Sequence, residues 1–268
     1  MPEGPEVKRT AEGLARAVSG KTITDIALIS GRYTKKEPTG YQDIKSNLPI
    51  QVVGAGCHGK FIYMICKEEN FIWSTLGMTG YWSAKANTHT RIKFSFSDGT
   101  HVFFQDQRNF GTLKFVRGKH EMIKKLKSLG PDMLAEDVSD HKFREALRKK
   151  PKWDLAKVLM NQSVVCGVGN YIKADSLWLA RLSPKRLVSS LSDEELSELN
   201  RCIKLIIRES FQSGGATIQA YTSFDGEVGE YTQRMLVYGQ KTDPDGRTVI
   251  REETSDKRTT HWVPEIQK

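Results

Sequence analysis

The chain begins Met-Pro-Glu-Gly-Pro-Glu, and its second and third residues could carry out covalent chemistry together. Removal of an initiator Met that precedes a small residue would leave Pro2 with a free secondary amine. An α-amino group has a pKa of about 8, so a useful fraction is neutral at pH 7 and can attack a sugar C1′ to give a permanently cationic iminium. Glu3 could transfer protons beside it. On these six residues alone, helix capping by Pro and acidic residues remains the favoured interpretation.

Two further stretches could approach a phosphate. The sequence GVGN at 167–170 separates two helical patterns, and glycines before a helix let the backbone come close to a phosphate that the helix N-terminus favours. The sequence HGK at 58–60 places Lys60 in a turn before the strand-like run FIYMIC, where it could contact a phosphate. The ordinary alternatives are an interhelical turn for the first stretch and a solvated lysine for the second.

Two loops carry an arginine that could reach into a nucleic acid. In DQRNFG at 106–111, Arg108 could pair with an orphaned base while Phe110 wedges into the space left by an extruded one. In KRTTHW at 257–262, a β-ribbon bearing Arg258 could enter a groove. The alternatives are a surface arginine beside a core phenylalanine, and a solvated charged turn.

The elements that must position these residues follow from hydrophobic spacing. Residues 3–19 are predicted to form an amphipathic helix, with Val7, Ala11, Leu14 and Val18 on one face. From Lys21 to about Val116 the pattern is of short strands, most clearly the hairpin RIKFSF–SDGT–HVFF. Helical patterns follow from about residue 118, including a long helix that begins after the capping residue Ser192. The runs MLVYG, RTVIR and THWV near the C-terminus are β-type and predict a hairpin.

This layout predicts an α+β fold with two domains. The predicted segments are an N-terminal domain of one helix and a β-sandwich at 1–117, a linker at 118–150, a helical domain at 151–231 and a terminal hairpin at 232–268.

Composition narrows the possible partners. The net charge is +9 and the isoelectric point about 9.3, a balance that suits nucleic acid although charge alone is weak evidence. There is no run of 18 apolar residues and no signal-peptide pattern, so we expect no membrane partner and an intracellular location, nuclear or cytoplasmic. The four cysteines form no C-x-x-C pair, so we expect reduced thiols, no metal and no cofactor. No association motif is evident, and we expect a monomer.

The order and spacing of these stretches resemble the formamidopyrimidine-DNA glycosylase/endonuclease VIII (Fpg/Nei) family over nearly the whole chain. The matching stretches are MPEGPE, HGKF, LGMTG, DQRNFG, NQSVVCGVGNYIKAD, GGATI and VYGQ. MPEGPE and GNYIKAD look more like the Nei branch than the Fpg branch. The family fold is an N-terminal helix with a β-sandwich, a helix–two-turn–helix domain and a β-hairpin zinc finger, which agrees with the pattern above apart from the zinc.

The resemblance implies roles for individual residues. It makes Pro2 the Schiff-base nucleophile and Glu3 the proton-transfer acid, and it completes the catalytic set with two phosphate-binding residues, Lys60 and Arg258. The segment TSFDGEVGE at 222–230 resembles a loop that can close over an everted base. The other implied roles are support of the site by Glu6 and Asp175, DNA contacts by His89, Arg91 and Asn170 together with Arg258, and filling of the vacated space by Met78, Arg108 and Phe110.

The departures from the family pattern concern the finger above all. The family finger has two C-x-x-C pairs, whereas the corresponding positions here are approximately Thr242, Asp245, Val263 and Ile266. The hairpin must therefore be held by strand pairing and apolar packing, around residues such as Trp262 and Val249. This resembles the zincless finger of one vertebrate Nei-like protein and of some plant and viral members, and a giant virus is a plausible source. Three other replacements are Asn161 for Asp, Asn109 for a basic residue and Asp175 for Glu.

The resemblance implies a bifunctional DNA glycosylase/AP lyase of base excision repair that acts on damaged DNA, either duplex or in single-stranded or bubble form. The implied substrates are oxidised pyrimidines such as thymine glycol and 5-hydroxyuracil, with hydantoins and ring-opened purines also in range and little action on 8-oxoguanine. After base loss, β- and δ-elimination would cut the strand. Two rival functions stay open from the sequence: a DNA- or RNA-binding module that has lost its chemistry, and an AP lyase without glycosylase activity.

Overall fold

The structure is a computed structural model that describes residues 1–216 and 223–268. It divides into two compact units. Each unit combines distant parts of the chain: the first consists of Met1–Pro2, Glu6–Lys127 and Gly214–Gly229, and the second of Glu3–Pro5, Ser128–Ser213 and Glu230–Lys268. Along the described residues, no helix has the length and apolar character needed to cross a membrane.

The first unit is built from an N-terminal helix and two four-stranded halves of a β-sandwich. Helix α1 spans Gly4–Val18 and buries Val7, Leu14 and Val18, as the spacing predicts. The strands are ordered β5-β7-β6-β1-β2-β3-β4-β8, and β1 and β2 join the halves through only two paired positions. The strand bounds are β1 Thr22–Leu28, β2 Ile50–His58, β3 Phe61–Cys66, β4 Asn70–Thr75, β5 Gly80–Ser83, β6 Thr90–Phe96, β7 His101–Asp106 and β8 Thr112–Arg117.

Alternation of apolar residues produces the core of this unit. Ile92 and Phe94 of β6 are buried opposite Phe104 and Val102 of β7, and the predicted turn closes this hairpin with Gly99 at φ 81°. Short helices flank the strands: a 3-10 helix at Gly31–Thr34, α2 at Tyr41–Ser46 and α3 at Lys119–Lys127.

The second unit contains the helical part of the chain. Its helices are α4 Asp140–Arg148, α5 Leu155–Met160, α6 Asn170–Leu179 and α7 Asp193–Gln212, with short 3-10 helices at Val188–Ser190 and Tyr231–Arg234. The predicted start of α7 is confirmed, because Ser192 and Glu195 form a reciprocal capping box. The buried stripe of α7 includes Leu196, Leu199, Ile203 and Ile206.

The predicted terminal hairpin is present, but one of its predicted runs is not a strand. Strand β9 (Ile250–Glu253) pairs antiparallel with β10 (Thr259–Trp262). The run MLVYG at 235–239 forms bends and a turn instead. The backbone N–H groups of Leu236, Val237 and Tyr238 all donate to the carboxylate of Asp175, so three successive donors point the same way, whereas those of a strand alternate.

The domain boundaries differ from those predicted in two places. The predicted linker at 118–150 contains helices α3 and α4, which belong to different units. The segment Gly214–Gly229, predicted as the end of the helical domain, belongs to the first unit instead. Its Phe224 packs against α1, where a Cβ on Gly13 would lie only 2.5 Å from the Cβ of Phe224.

Candidate active site

Glu3 is held at the N-terminus of α6. Its carboxylate accepts hydrogen bonds from the backbone nitrogens of Tyr171 (2.9 Å) and Ile172 (3.3 Å), and the residue is only 2 % exposed. The amide of Gly4 adds a hydrogen bond to the carbonyl of Gly167 at 2.8 Å. A helix N-terminus favours negative charge, so this arrangement both orients the carboxylate and stabilises its anion.

The glycines of GVGN make room for this carboxylate. A Cβ on Gly169 would lie 2.1 Å from the Cδ of Glu3, and Gly167 adopts a φ of 91°. From the sequence we interpreted these glycines as an approach for a phosphate. The structure corrects that interpretation, because the amides at the start of α6 receive a carboxylate of the protein itself.

Pro2 and Glu6 belong to the first unit. Pro2 is buried, and the chain carries Met1 before it. The Oε1 atom of Glu6 accepts a hydrogen bond from the backbone nitrogen of Ala216 at 2.6 Å, and Gly215, at φ 87°, lies against the same side chain. Glu6 therefore anchors Ala216, near the start of the segment Gly214–Gly229, and its supporting role at the site stays a prediction.

Three residues that are predicted to contact phosphates lie in the β-rich unit. Lys60 sits in the two-residue turn between β2 and β3, after Gly59 at φ 55°. His89 is half-buried in the loop before β6. Arg91 is buried, and its guanidinium donates to the carbonyls of Asp106 (2.7 Å) and Gln107 (3.4 Å) and to Ser30 Oγ (2.7 Å). These donors of Arg91 are engaged inside the protein, and its phosphate contact stays a prediction.

The three residues predicted to fill the vacated space are brought together. The Nη1 atom of Arg108 lies 3.3 Å from the Sδ atom of Met78, and its guanidinium carbon lies 4.9 Å from the centre of the Phe110 ring. Phe110 is 53 % exposed, an unusual position for a phenylalanine. We call this group, formed by the half-buried Met78 and the exposed Arg108 and Phe110, the wedge.

A single buried carboxylate shapes the loop that carries Arg108 and Phe110. Asp106 accepts hydrogen bonds from Thr79 Oγ1 (2.6 Å), the backbone nitrogen of Arg108 (3.2 Å) and the backbone nitrogen of Gly111 (2.6 Å). Asn109 adopts a φ of 57°, a left-handed conformation that asparagine tolerates better than most residues. That conformation explains why an asparagine suits this position of the loop.

Arg258 is exposed at the end of the turn between β9 and β10. The turn closes with a hydrogen bond from Thr254 N to Arg258 O at 3.1 Å. The Nδ2 atom of Asn170 donates to the carbonyl of Thr259 at 2.8 Å, so the first residue of α6 binds the residue next to Arg258. The phosphate contact of Asn170 stays a prediction, since in this structure its donor is used within the protein.

Asp175 anchors the segment before the hairpin. It is fully buried and accepts the three backbone hydrogen bonds from residues 236–238 described above. Burial raises the pKa of this carboxyl to about 6, although the three N–H donors oppose the shift. The shorter aspartate therefore serves as a structural support at the position where the family has glutamate.

Sequence reasoning missed a buried ion pair. The Nζ atom of Lys173 lies 2.6 Å from Asp256 Oδ2 and 2.8 Å from Thr260 Oγ1, and both charged side chains are almost entirely buried. Burial lowers the pKa of Lys173, and hydrogen bonding to Asp256 counteracts part of that shift. The sequence shows a lysine within the run NYIKADSLWL, but hydrophobic spacing does not identify its partner.

The positions that correspond to the family's zinc ligands contain other interactions. Val263 and Ile266 pack with Val237, Val249 and Ala174. The carboxylate of Asp243 is fully buried and accepts from Trp178 Nε1 (3.1 Å) and Arg247 Nη1 (3.0 Å). Burial opposes the charge, yet these hydrogen bonds hold the pKa of Asp243 below its ordinary value. Over residues 1–216 and 223–268, no cluster of three or more His, Cys, Asp or Glu side chains is arranged to hold a metal.

The segment that was predicted to close over an everted base is only partly described. Thr222, and Thr217 and Ile218 of GGATI, lie outside the described residues. The following residues are tied to α1 through ion pairs from Arg9 to Glu227 (2.6 Å) and from Arg16 to Asp225 (2.5 Å).

Sequence models of one family cover most of the chain. The formamidopyrimidine-DNA glycosylase N-terminal domain matches residues 1–113, its H2TH domain residues 129–222 and its C-terminal domain residues 227–268. The formamidopyrimidine-DNA glycosylases of Shouchella clausii and Cytobacillus firmus are both 31 % identical to the chain over 276 residues, which cover 100 % of this chain and 99 % and 100 % of theirs.

Solved structures agree. The MutM (Fpg) protein of Thermus thermophilus superposes with a TM-score of 0.87 at 30 % identity, covering 99 % of this chain and 98 % of that one. A Lactococcus lactis Fpg mutant in complex with DNA containing Fapy-dG superposes with a TM-score of 0.87 at 26 % identity, covering 100 % of both chains. These relatives are bacterial and carry the Fpg name, so they give no support to the Nei branch or a viral source. The chain belongs to the formamidopyrimidine-DNA glycosylase family, whose members are DNA N-glycosylases and AP lyases.

Proposed function

We propose that the protein excises oxidised bases from DNA as a monomer, with the secondary amine of Pro2 as the covalent nucleophile. The observation that carries this proposal is the placement of Glu3. The Glu3 carboxylate, which directly follows the nucleophile in sequence, is fixed by hydrogen bonds from two amides at the start of α6. It occupies space that is free only because Gly169 has no Cβ. A non-catalytic binding module would have no need for this buried arrangement.

The proposed reaction requires a free amine on Pro2, and therefore removal of Met1. The amine attacks C1′ of the damaged nucleotide, and the N-glycosidic bond breaks as the base leaves with the amine proton. Protonation of the ring oxygen O4′ then breaks the C1′–O4′ bond and gives the open-chain iminium. This iminium acidifies the C2′ proton, whose removal breaks the C3′–O bond, and a second elimination breaks the C5′–O bond. Glu3 is the group proposed to transfer protons during these steps.

The wedge supports extrusion of the damaged nucleotide before chemistry. Taking a base out of a duplex costs a few kcal/mol, and side chains that occupy the vacated space offset part of that cost. The exposed ring of Phe110 and the adjacent guanidinium of Arg108 are suited to stack and to hydrogen-bond with the orphaned partner base.

Two kinds of support bear on the substrate. The sequences MPEGPE and GNYIKAD support activity on oxidised pyrimidines and hydantoins, by their resemblance to the Nei branch. The Fapy-dG complex of the Lactococcus relative supports ring-opened purines, and a MutM complex with carbocyclic 8-oxo-G DNA places that lesion among the substrates to be compared. We propose activity on oxidised pyrimidines and ring-opened purines, with 8-oxoguanine the poorest substrate of the set.

The experiment is borohydride trapping on duplexes that contain thymine glycol, Fapy-dG, 8-oxoguanine or an abasic site. Intact mass first establishes that Met1 is absent. Wild type should form a covalent adduct and Pro2→Thr should not, whereas Pro5→Ala, which leaves the amine untouched, should form it normally. An adduct with the abasic site alone would replace the proposal by a pure AP lyase. Salt-sensitive binding without any adduct would favour a binding module.

We further propose that the terminal hairpin folds without zinc. The apolar packing of Val263 and Ile266 and the hydrogen-bonded carboxylate of Asp243 support this, because they lie at or beside the positions of the family's metal-binding thiolates. Elemental analysis should find less than about 0.1 zinc per chain, and a chelator should leave the melting temperature and the trapping rate unchanged. Stoichiometric zinc would contradict the proposal.

A further inference from the structure

We propose that Lys173 is the positioning residue for Arg258, acting through the buried ion pair with Asp256. The inference rests on the proposed function, since it concerns an arginine that binds DNA there. Lys173 has no access to solvent and so does not contact DNA in this arrangement. Its ammonium instead makes two hydrogen bonds, which connect the first half of α6 to the turn and to the second strand of the hairpin.

The ion pair lies directly beneath the turn. Asp256 accepts from Lys173 through Oδ2, and its Oδ1 atom accepts from Thr254 Oγ1 (2.6 Å) and from the backbone nitrogen of Arg258 (3.3 Å). A single carboxylate therefore links the lysine to the main chain of the arginine. Removing the lysine leaves that carboxylate buried without a cation, which favours its movement toward water.

Helix α6 also holds the other side of Arg258. Asn170 binds the carbonyl of Thr259, and Lys173 binds Thr260 Oγ1, which lies 2.7 Å from Thr254 Oγ1. The residues on both sides of Arg258 are thus fixed by one helix. Ser255 adds a tether to Asp154, the capping residue of α5, at 2.6 Å. Because hydrogen bonds hold several residues of this turn, the exposed guanidinium of Arg258 can bind a phosphate without the entropic cost of first ordering the turn.

Lys257 shows that the turn has a constrained conformation. Its φ of 59° is left-handed, and its nitrogen donates to the carbonyl of Thr254 at 2.9 Å. A lysine adopts this conformation only where surrounding contacts enforce it. The contacts available for this are those of Asp256, whose carboxylate binds Thr254, three residues before Lys257, and Arg258, directly after it.

The test is a double-mutant cycle on the trapping rate with an abasic duplex. Lys173→Met should lower the rate on the order of 10²-fold, as expected when a substrate-positioning group is displaced by about 1 Å. In an Arg258→Ala background, the same substitution should cause no further loss. Lys185→Met is the matched control, because it removes an exposed lysine paired with Glu252 of the same hairpin and should leave the rate unchanged.

A second variant separates positioning from folding. The double variant Lys173→Met/Asp256→Leu removes both buried charges, so this protein should keep a melting temperature close to that of wild type. Its rate should nonetheless stay low, because leucine cannot accept the hydrogen bonds from Arg258 and Thr254. Full recovery of the rate, or an equal effect of Lys173→Met with and without Arg258, would overturn the inference. Wild-type trapping in the same assay reports on the proposed function separately, since its absence would remove that function whatever Lys173 does.

Discussion

The most restrictive contact at the residue scale is the one between Gly169 and Glu3. A side chain at position 169 would have to occupy the space of the Glu3 carboxyl group, because the two would lie only 2.1 Å apart. Glutamate could escape only by giving up its hydrogen bonds to Tyr171 and Ile172. Both the glycine and the carboxylate are therefore needed for the same geometry.

Gly169→Ala should abolish most of the activity. We expect the single-turnover excision rate to fall on the order of 10²-fold or more, because the carboxylate next to the nucleophile is displaced. Gly54→Ala is the control, since a Cβ there would meet nothing closer than 3.8 Å. If Gly169→Ala retained wild-type excision while Gly54→Ala did too, Glu3 would have no role that depends on its position.

The raised pKa of Asp175 predicts that the free energy of unfolding depends measurably on pH. Its pKa rises from the ordinary value of 3.8 to about 6 in the folded protein, so between these values the folded state binds more protons than the unfolded state. The stability contribution of this group is therefore largest at low pH and falls as pH rises through about 6. The total change is at most about 3 kcal/mol, from 1.36 kcal/mol for each pKa unit.

The measurement compares wild type with Asp175→Asn by urea unfolding from pH 4 to pH 7. The free energy of unfolding of wild type minus that of the variant should decrease across this range, because all other carboxyl groups cancel in the difference. Asp98→Asn, an exposed carboxylate whose pKa is lowered by hydrogen bonds from Thr100, is the control and should show no decrease between these pH values. A flat difference for Asp175→Asn would show that the carboxyl titrates normally.

At the scale of elements, local patterns were predictable and long-range polar contacts were not. The helix α1, the β6–β7 hairpin and the Ser192 capping box follow from periodicity and turn chemistry, which act within a few residues. The Lys173–Asp256 pair joins residues 83 positions apart, and hydrophobic spacing contains no information about such partners. For the same reason MLVYG had the composition of a strand, while Asp175, far away in sequence, determines its actual conformation.

The same distinction holds for the candidate site: arrangements within one loop were predictable, and contacts between distant segments were not. The spacing in DQRNFG was enough to place Arg108 and Phe110 on one short loop, whereas Met78 was added to the wedge only by the family resemblance. The burial of Arg91 was not predictable, since its acceptors are backbone carbonyls and a serine that only the folded sandwich brings near. The role of the GVGN glycines was misjudged because Glu3, which fills the space they leave, is more than 160 residues away.

The loop between β7 and β8 gives the third prediction. In Asp106→Asn, an amide N–H₂ replaces one carboxylate oxygen and meets the backbone donors of Arg108 or Gly111, so the loop should lose its fixed shape. The wedge would then fill the vacated space less well. We expect the ratio of excision rates on duplex over single-stranded substrate to fall about tenfold, or about 1.4 kcal/mol.

Asp98→Asn is again a suitable comparison, because Asp98 also organises a hairpin turn through hydrogen bonds, to the backbone and side chain of Thr100. It should leave the duplex preference unchanged. An Asp106→Asn protein that lost activity equally on both substrates would place Asp106 in folding and not in extrusion.

At the scale of the whole molecule, the basic surplus predicts how binding responds to salt. The net charge is +9, but several basic groups are already paired inside the protein, including Lys173 and Arg247. Only the unpaired exposed groups, Arg258 among the candidates, release counterions when they meet phosphates. With about six phosphate contacts, affinity for a duplex holding an uncleavable abasic analogue should fall on the order of 10³-fold between 50 and 200 mM salt.

Single substitutions should then report on individual contacts. Arg258→Ala should reduce the slope of log K against log salt by about 0.9, as loss of one phosphate contact requires. Arg201→Ala should leave the slope unchanged, since that guanidinium is bound to Glu198 at 2.8 Å on α7. Fluorescence anisotropy over a salt series measures both slopes directly. Equal slopes for wild type and Arg258→Ala would mean that the exposed arginine of the hairpin turn does not meet the backbone, and the positioning by Lys173 would then have no target.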